Sequence, residues 1–239
     1  MPILAIDTAT VVSSVAVAEE NKLLAEITIQ TKMTHSETLL PHVEQVLAIA
    51  GVAKKDLQAV AVSIGPGSFT GLRIGLATAK AIAYGLGIPV IGVPTAEALA
   101  WHYPIAEVAI MPFIDAQKNN VYAAIYYWAA GQCQEVVPIQ VYSLEEALAL
   151  AGQQDRRVLA VGDIAARKLA TREELPTNVQ VGPAHLLMPR AANVAMAGWQ
   201  RLQAGQVDSV MDLEPVYIRR SEAEVLWEKR QAALQQVKE

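Results

Sequence analysis

An apolar run that ends in an acidic residue, then a polar turn, then a second apolar run occurs twice in this chain. That recurrence constrains the fold more than any other feature. The first copy is ILAID, TAT and VVSSVAVA over residues 3–18, and the second is VAIMPFID, AQKNN and VYAAIYYW over residues 108–128. Each copy reads as a strand, a tight turn and a strand, followed by a third strand and then a helix, so each half opens with an antiparallel meander. In the first half, Leu23–Ile29 is the third strand, and SETLLPHVEQVLAIAG follows with Leu39, Val43, Val46, Leu47 and Ala50 at helical spacing. Ser36 is the expected N-cap and Gly51 the stop, with Pro41 inside the helix as a bend. Ala59–Ile64 reads as a buried strand, Leu72–Leu86 as a helix and Ile88–Val93 as a strand of a covered sheet. The second half repeats the order with a short helix at Ser143–Ala151, a strand at Val158–Val161, a short helix at Asp163–Ala170, a strand at Val179–Val181 and a helix at Ala191–Ala204. No repeat is visible residue by residue, so the duplication rests on pattern alone.

The expected architecture is therefore α/β with two lobes, residues 1–103 and 104–239, each a mixed sheet flanked by helices and divided near Trp101–Ala106. The last helix and the charged tail Ser221–Glu239 have room to cross back onto the first lobe, which is expected to be the better packed, its helices and strands being the longer.

Composition excludes several function classes. With 19 basic against 24 acidic side chains, the net charge of −5 disfavours a chain that grips nucleic acid unaided. A single cysteine, Cys133, rules out a disulfide framework and a cysteine zinc knot. The uncharged stretches fall short of the roughly 20 apolar residues of a membrane span, and MPILAIDT has no basic leader, so a cytoplasmic protein with no membrane association is expected. His35 and His42 lie seven apart, about 10 Å along a helix, too far to share an ion, while His102 and His185 are isolated. No metal site and no catalytic residues are expected.

Two segments hold candidate chemistry. Asp7, Thr8 and Thr10, at a strand end and in its turn, could hold a magnesium-bound phosphate; an ordinary hairpin turn uses the same residue types. GPGSFTGLRIG, Gly65–Gly75, lies between a strand and a helix, where its N–H groups could meet an anion, or where Ser68 or Thr70 simply caps the helix. Within that helix Gly71, Gly75, Ala79 and Ala83 recur every four residues, making one face nearly flat. Each interior glycine costs about 1 kcal/mol against alanine, so a close contact is expected there, and packing is favoured over catalysis.

LAIDTAT, LLPHVEQVL, GPGSFTGLRIG, IPVIGVPT, IDAQKNNVYAAIY and EPVYIRR, in this order over nearly the whole chain, resemble the TsaB (YeaZ) family of the glycoprotease-like group. The resemblance implies an actin/hexokinase-like fold and a non-catalytic subunit of the machinery that forms threonylcarbamoyladenosine in transfer RNAs reading codons that begin with adenine. It further implies a heterodimer with a TsaD homologue, a TsaE homologue as accessory ATPase, a homodimer when alone, and transfer RNA met only through the complex. ATP and magnesium enter at the level of the complex. In TsaD-type chains two metal-binding histidines, four apart, follow the strand matching IPVIGV; here those positions are Thr95 and Leu99. The second-lobe phosphate turn of active relatives is glycine-rich, whereas Asp115 is followed here by Ala116, Gln117 and Lys118. Asp7, Thr8, Thr10 and Asp115 are thus candidate remnants of a nucleotide site. A stand-alone ATP-using transferase or metallohydrolase is the alternative, and the missing histidines weigh against the hydrolase.

The partner surface is expected on the helices Ser36–Ala50 and Phe69–Leu86. Its candidate residues are Leu39, Leu40, Val43, Val46 and Leu47 on the first, and Phe69, Gly71, Arg73, Gly75 and Ala79 on the second. Leu39 and Leu40 diverge by about 100° and so do not both face one core.

Overall fold

The computed structural model describes residues 1–30 and 35–219. Two five-stranded sheets are present. The first contains β1 (Ile3–Asp7), β2 (Val12–Glu19), β3 (Lys22–Gln30), β4 (Val60–Gly65) and β5 (Val90–Pro94), ordered β3-β2-β1-β4-β5. The second contains β6 (Val108–Asp115), β7 (Asn120–Ala129), β8 (Gln132–Ser143), β9 (Arg157–Val161) and β10 (Val179–Val181), ordered β10-β9-β6-β7-β8. Counted within each lobe, both sheets have the order 3-2-1-4-5, with an antiparallel meander beside parallel strands. The lobes are two copies of one topology, and the fold is the two-lobed actin/hexokinase-like α/β arrangement.

One face of the first sheet carries α1 (His35–Ala50) and α2 (Phe69–Leu86), packed over Leu4, Ile6, Val15, Val17, Val60 and Val62. The opposite face carries α5 (Ala191–Gln203), over Ile3, Ala5, Ala16, Ala59 and Ala61. The small residues on that face let α5 lie close: a methyl group on Gly198 would stand 2.6 Å from the Ala61 Cβ. The helix starts without a cap from its own Arg190. The sheet supplies it instead. Ser14 Oγ accepts the Ala191 N–H (2.9 Å), and the Glu26 carboxylate accepts the Ala192 N–H (3.0 Å) while pairing with the Arg190 guanidinium.

The second lobe is built differently. Its strands β7 and β8, with 10 and 12 residues, are the longest in the described chain, so greater strand length is not what distinguishes the first lobe. Its helices are shorter, α4 (Leu144–Gly152) and a single π turn at Ala165–Leu169 where a regular helix is expected from the sequence. They cover one sheet face, over Met111, Phe113, Ala123 and Ile125. The other face is covered by α3 (Thr95–Ala100), a six-residue helix whose Ala96, Leu99 and Ala100 meet Ile110, Ile114, Tyr122 and Tyr126. This helix precedes the expected divide at Trp101–Ala106 yet packs on the second sheet, so the two lobes share its core. It is too short to leave a periodic signal. Helix α1 begins at His35, one residue before the expected cap Ser36. The tail Ser221–Glu239, and Arg220 beside it, lie outside the described residues.

At the junction Trp101 stacks edge-on against Trp128 with ring centroids 4.8 Å apart, and Trp128 Nε1 donates to the Ala100 carbonyl (3.0 Å). His102 is enclosed next to them, and burial, aided by the Arg190 charge, lowers its pKa from 6.5 to about 4. A folded-state pKa below the unfolded one means the unfolded chain binds the proton first. Stability is therefore complete above about pH 6.5 and lost as pH falls toward 4. Between pH 7 and pH 5 this group alone should remove about 2 kcal/mol. Urea denaturation at the two pH values measures the loss, and His102→Gln should shrink it by that amount.

Candidate functional site

The two acidic strand ends, Asp7 on β1 and Asp115 on β6, lie toward the interlobe junction, or cleft, that residues 216–219 span from Ile64 to Ala116, and each is finished by bonds within the chain. In the first lobe, the β1–β2 turn is gripped by the start of α2. Ser68 caps that helix by accepting the Gly71 N–H (3.2 Å), and its own N–H donates to the Ala9 carbonyl (2.7 Å). Thr8 Oγ1 donates to the Gly71 carbonyl at 2.7 Å. A methyl group on Gly67 would stand 2.2 Å from the Ala9 oxygen, on Gly71 2.0 Å from the Thr8 oxygen, and on Gly75 2.2 Å from Thr8 Oγ1. The glycines of GPGSFTGLRIG thus admit the protein's own first turn; the close approach expected from them is to backbone, not to an anion. Asp7 is fully buried, with its carboxylate accepting the Ala9 N–H (3.1 Å) and the Ser63 hydroxyl. Thr10 accepts the Val12 N–H at 3.2 Å, as a turn threonine does.

In the second lobe Gln117, Lys118 and Asn119 all adopt left-handed backbone, with φ of 61°, 52° and 63°. Asp115 Oδ1 accepts the Gln117 N–H (2.7 Å), and Asp163 Oδ1 accepts the Asp115 N–H (3.0 Å). Arg167 Nη2 bridges both carboxylates, 2.9 Å from Asp115 and 2.6 Å from Asp163. Burial pulls the Asp115 carboxyl upward, but the bonds from Arg167 and the Gln117 N–H outweigh it and hold the group below the usual range. At the more enclosed Asp163 burial wins, raising its carboxyl despite Arg167. Sequence reasoning singled out Asp115 but missed Asp163, Arg167 and Arg219, the last of which donates to the Ala116 and Gln117 carbonyls. Their bonds to Asp115 and its turn span 48, 52 and 103 positions, and no local pattern reports such pairs; the Asp163–Arg167 pair itself, four residues apart, is local.

These residues do not fit a nucleotide phosphate with its metal. The two carboxylates near enough to share a cation are bridged by a guanidinium, and the turn beside them has its carbonyls taken by Arg219. Thr95 and Leu99, which the resemblance matches to the TsaD-type histidines, are both fully buried, and Leu99 belongs to the core shared by the lobes. Among the described residues, no three His, Cys, Asp or Glu side chains come together as a metal site needs.

The expected partner-surface residues separate into two groups. Leu39, Val43, Val46 and Leu47 are buried in the core under α1, and Gly71, Gly75 and Ala79 face β1 and its turn, so none of these seven is on the outer face. The 3.6-residue period places them together, and the fold needs that whole arc. Leu40 does diverge from Leu39 and is 56% exposed, Arg73 is exposed, and Phe69 is half-buried under Tyr217. The outer surface also includes Ala77, Ala81 and Tyr84, which carry no amphipathic signal in the sequence, being small residues and a lone tyrosine. Among the described residues no helix is long and apolar enough to cross a membrane.

Gly71→Ala should destabilise the protein by about 2–3 kcal/mol, since helix and turn must part. Gly85→Ala, in the same helix but with open space around the site, should stabilise it by about 0.5 kcal/mol. Thermal denaturation of the two variants checks the opposite signs.

Comparison with known proteins shows the family. The family profile of TsaD, tRNA N6-adenosine threonylcarbamoyltransferase, matches residues 22–227. The tRNA threonylcarbamoyladenosine biosynthesis protein TsaB of Bacillus subtilis is 35% identical over 228 residues, covering 95% of this chain and 98% of that one. TsaB of Escherichia coli is 31% identical over 238 residues, covering 96% and 98%. The solved structure of YeaZ from Pseudomonas aeruginosa superposes with a TM-score of 0.75 at 25% identity, over 90% of this chain and 99% of that one. The chain belongs to the TsaB family, whose named members serve threonylcarbamoyladenosine biosynthesis in transfer RNA.

Proposed function

We propose that this chain is a non-catalytic subunit that binds and supports a TsaD homologue as that partner forms threonylcarbamoyladenosine in transfer RNA. The observation that carries the reading is Arg167 lying across Asp115 and Asp163, with Thr95 and Leu99 buried where metal-binding histidines would stand. A cleft whose acidic groups are neutralised from within serves the fold and leaves catalysis to a partner. A TsaE homologue would supply the ATPase, transfer RNA would be held by the partners, and the chain would be cytoplasmic.

The docking surface is the outer side of α1 and α2: Leu40, Pro41, Ala77, Ala81 and Tyr84, beside a groove lined by Leu40, Val43, Leu47 and Ile82. None of these apolar groups on the outer side is needed to cover the sheet. Two such helices per subunit make a four-helix contact, self-complementary in a homodimer and shared with the similar TsaD lobe in a heterodimer. A stable contact of this kind buries on the order of 1,200–2,000 Å².

Co-purification with the TsaD homologue tests this directly. Leu40→Glu and Ala81→Glu should each reduce recovery at least about tenfold with the melting temperature nearly unchanged, these side chains being exposed. Ile49→Glu is the control: it is 63% exposed but half a helical circumference from Leu40, and should bind as before. Full recovery of both outer-face variants would remove the proposed surface. Separately, calorimetry of the isolated chain with magnesium-ATP should show no binding at micromolar concentrations, and a micromolar dissociation constant would return the stand-alone transferase to consideration.

A further inference from the structure

The EPVYIRR segment takes no part in the proposed docking, yet its described residues make bonds of an unusual distribution. After α5 the chain turns at Gly205 and runs along the open edge of the first sheet. The Asp208 N–H donates to the Val90 carbonyl (2.9 Å), and its carboxylate accepts the Gly92 N–H (2.7 Å). Lys80 Nζ holds the strap from α2, donating to the Met211 and Leu213 carbonyls at 3.0 and 3.1 Å. The strap then arrives at the cleft. The Val216 N–H donates to the Ile64 carbonyl (2.7 Å), and Gly65 makes room for the Val216 oxygen, which would stand 2.8 Å from a methyl group there. Tyr217 lies against Phe69 with ring centroids 4.8 Å apart and accepts a bond from Arg73 Nε at 3.0 Å.

The next two residues meet the other lobe. Ile218 packs into the cluster of Leu99, Ile114, Ala116 and Tyr122, and Arg219 Nη1 donates to the Ala116 and Gln117 carbonyls. Val216 and Tyr217 thus belong to the first lobe, Ile218 and Arg219 to the second. A run of four residues with no slack between the two attachments holds both sides of the cleft.

We infer that Val216–Arg219 is an interlobe staple, which fixes one spacing of the two lobes and holds the Ala116–Asn120 turn in its left-handed form. The turn needs such a hold. Three successive non-glycine residues there occupy a region that side chains disfavour. Backbone bonds of Ala116 N to Asn120 O (3.1 Å) and Asn120 N to Gln117 O (3.0 Å) close the turn, the Asp115 carboxylate accepts the Gln117 N–H (2.7 Å), Lys168 Nζ reaches Asn119 Oδ1 (2.6 Å), and Arg219 holds the Ala116 and Gln117 carbonyls from the strap. A guanidinium donating to two adjacent carbonyls orients both peptide units at once.

Hydrogen exchange on the full-length chain, read by mass spectrometry, tests the staple. Arg219→Ala should speed exchange of the Ala116 and Asn120 amides about tenfold while the interior of β1, β4 and β7 exchanges as before. Arg219→Lys, which keeps a donor but loses the planar fork, should speed it about threefold and is the variant to read if the alanine chain does not fold. Spin labels at Gln58→Cys and Gln153→Cys, one on each lobe in a Cys133→Ser background, should give a broader distance distribution with Arg219→Ala than without it. Unchanged exchange and an unchanged distribution would overturn the staple. So would an acceleration spread evenly over both sheets, which marks general loss of stability.

Discussion

The contact between α2 and the β1–β2 turn sets the position of nearly everything else in the first lobe. Gly67 just ahead of α2, and Gly71 and Gly75 within it, bring backbone against the Ala9 and Thr8 carbonyls and the Thr8 hydroxyl, with no space for a side chain at any of the three. Interior glycine is a poor helix former, so the sequence accepts a loss in local propensity for a steric gain between elements. The height of α2 on the sheet is then set, and with it the places of Phe69, Arg73 and Lys80, the groups that meet the C-terminal strap. Thr8 is fixed on both sides, as donor to Gly71 and as the surface on which the helix rests. The residues that looked like a ligand site are therefore the bearing of the first lobe.

The two lobes show how one topology tolerates different turns. In each, a glycine with positive φ stands at the end of the fourth strand, Gly65 as the last residue of β4 at 113° and Gly162 just after β9 at 100°. Gly65 makes room for the strap, and Gly162 for the Phe113 carbonyl, which would lie 2.6 Å from a methyl group. Beyond that glycine they part. The first lobe continues into 18 residues of regular helix, whereas the second makes one π turn that delivers Arg167 to Asp115 and Asp163. A π turn widens the spiral by a residue and changes the direction of the side chains it carries. Here it aims a cation at two carboxylates that would otherwise repel each other in a partly enclosed space.

Legibility in the sequence depends on whether a feature leaves a local trace. Strands β1 to β10 and the helices α1, α2, α4 and α5 are readable because apolar period and glycine punctuation are properties of neighbouring residues. The α2 stripe is readable as a close contact, but its partner is not, because Thr8 is more than sixty residues away in sequence. The outward face of α1 is misread for a related reason. Four apolar residues and an exposed Leu40 look like a surplus unless the depth of the sheet beneath is known, and the core buries Leu39, Val43, Val46 and Leu47. Helix α3 escapes notice since TAEALA is too short to show a period, yet it is the element both lobes share.

The ties between the lobes differ in chemistry, and that difference decides how each responds to stress. Helix α3 presents apolar side chains to the second sheet, a contact that weakens little with salt or pH. Helix α5 is bound to α3 by polar groups, Asn193 Nδ2 on the Ala98 carbonyl at 3.1 Å and Arg201 on Glu97 at 2.6 Å, both at least partly enclosed. Arg219 completes the set at the cleft mouth with bonds to carbonyl oxygens, which have no pKa to cross. None of the three ties repeats another, and they stand at different points around the junction: behind the second sheet, along the back of the first, and across the opening. A hinge needs an axis about which contacts persist while those opposite it break. With a tie at each of these places, opening the cleft must break Arg219, and shearing the lobes must break Asn193 and Arg201. Among the described residues these ties therefore hold the two lobes in one relation from three sides.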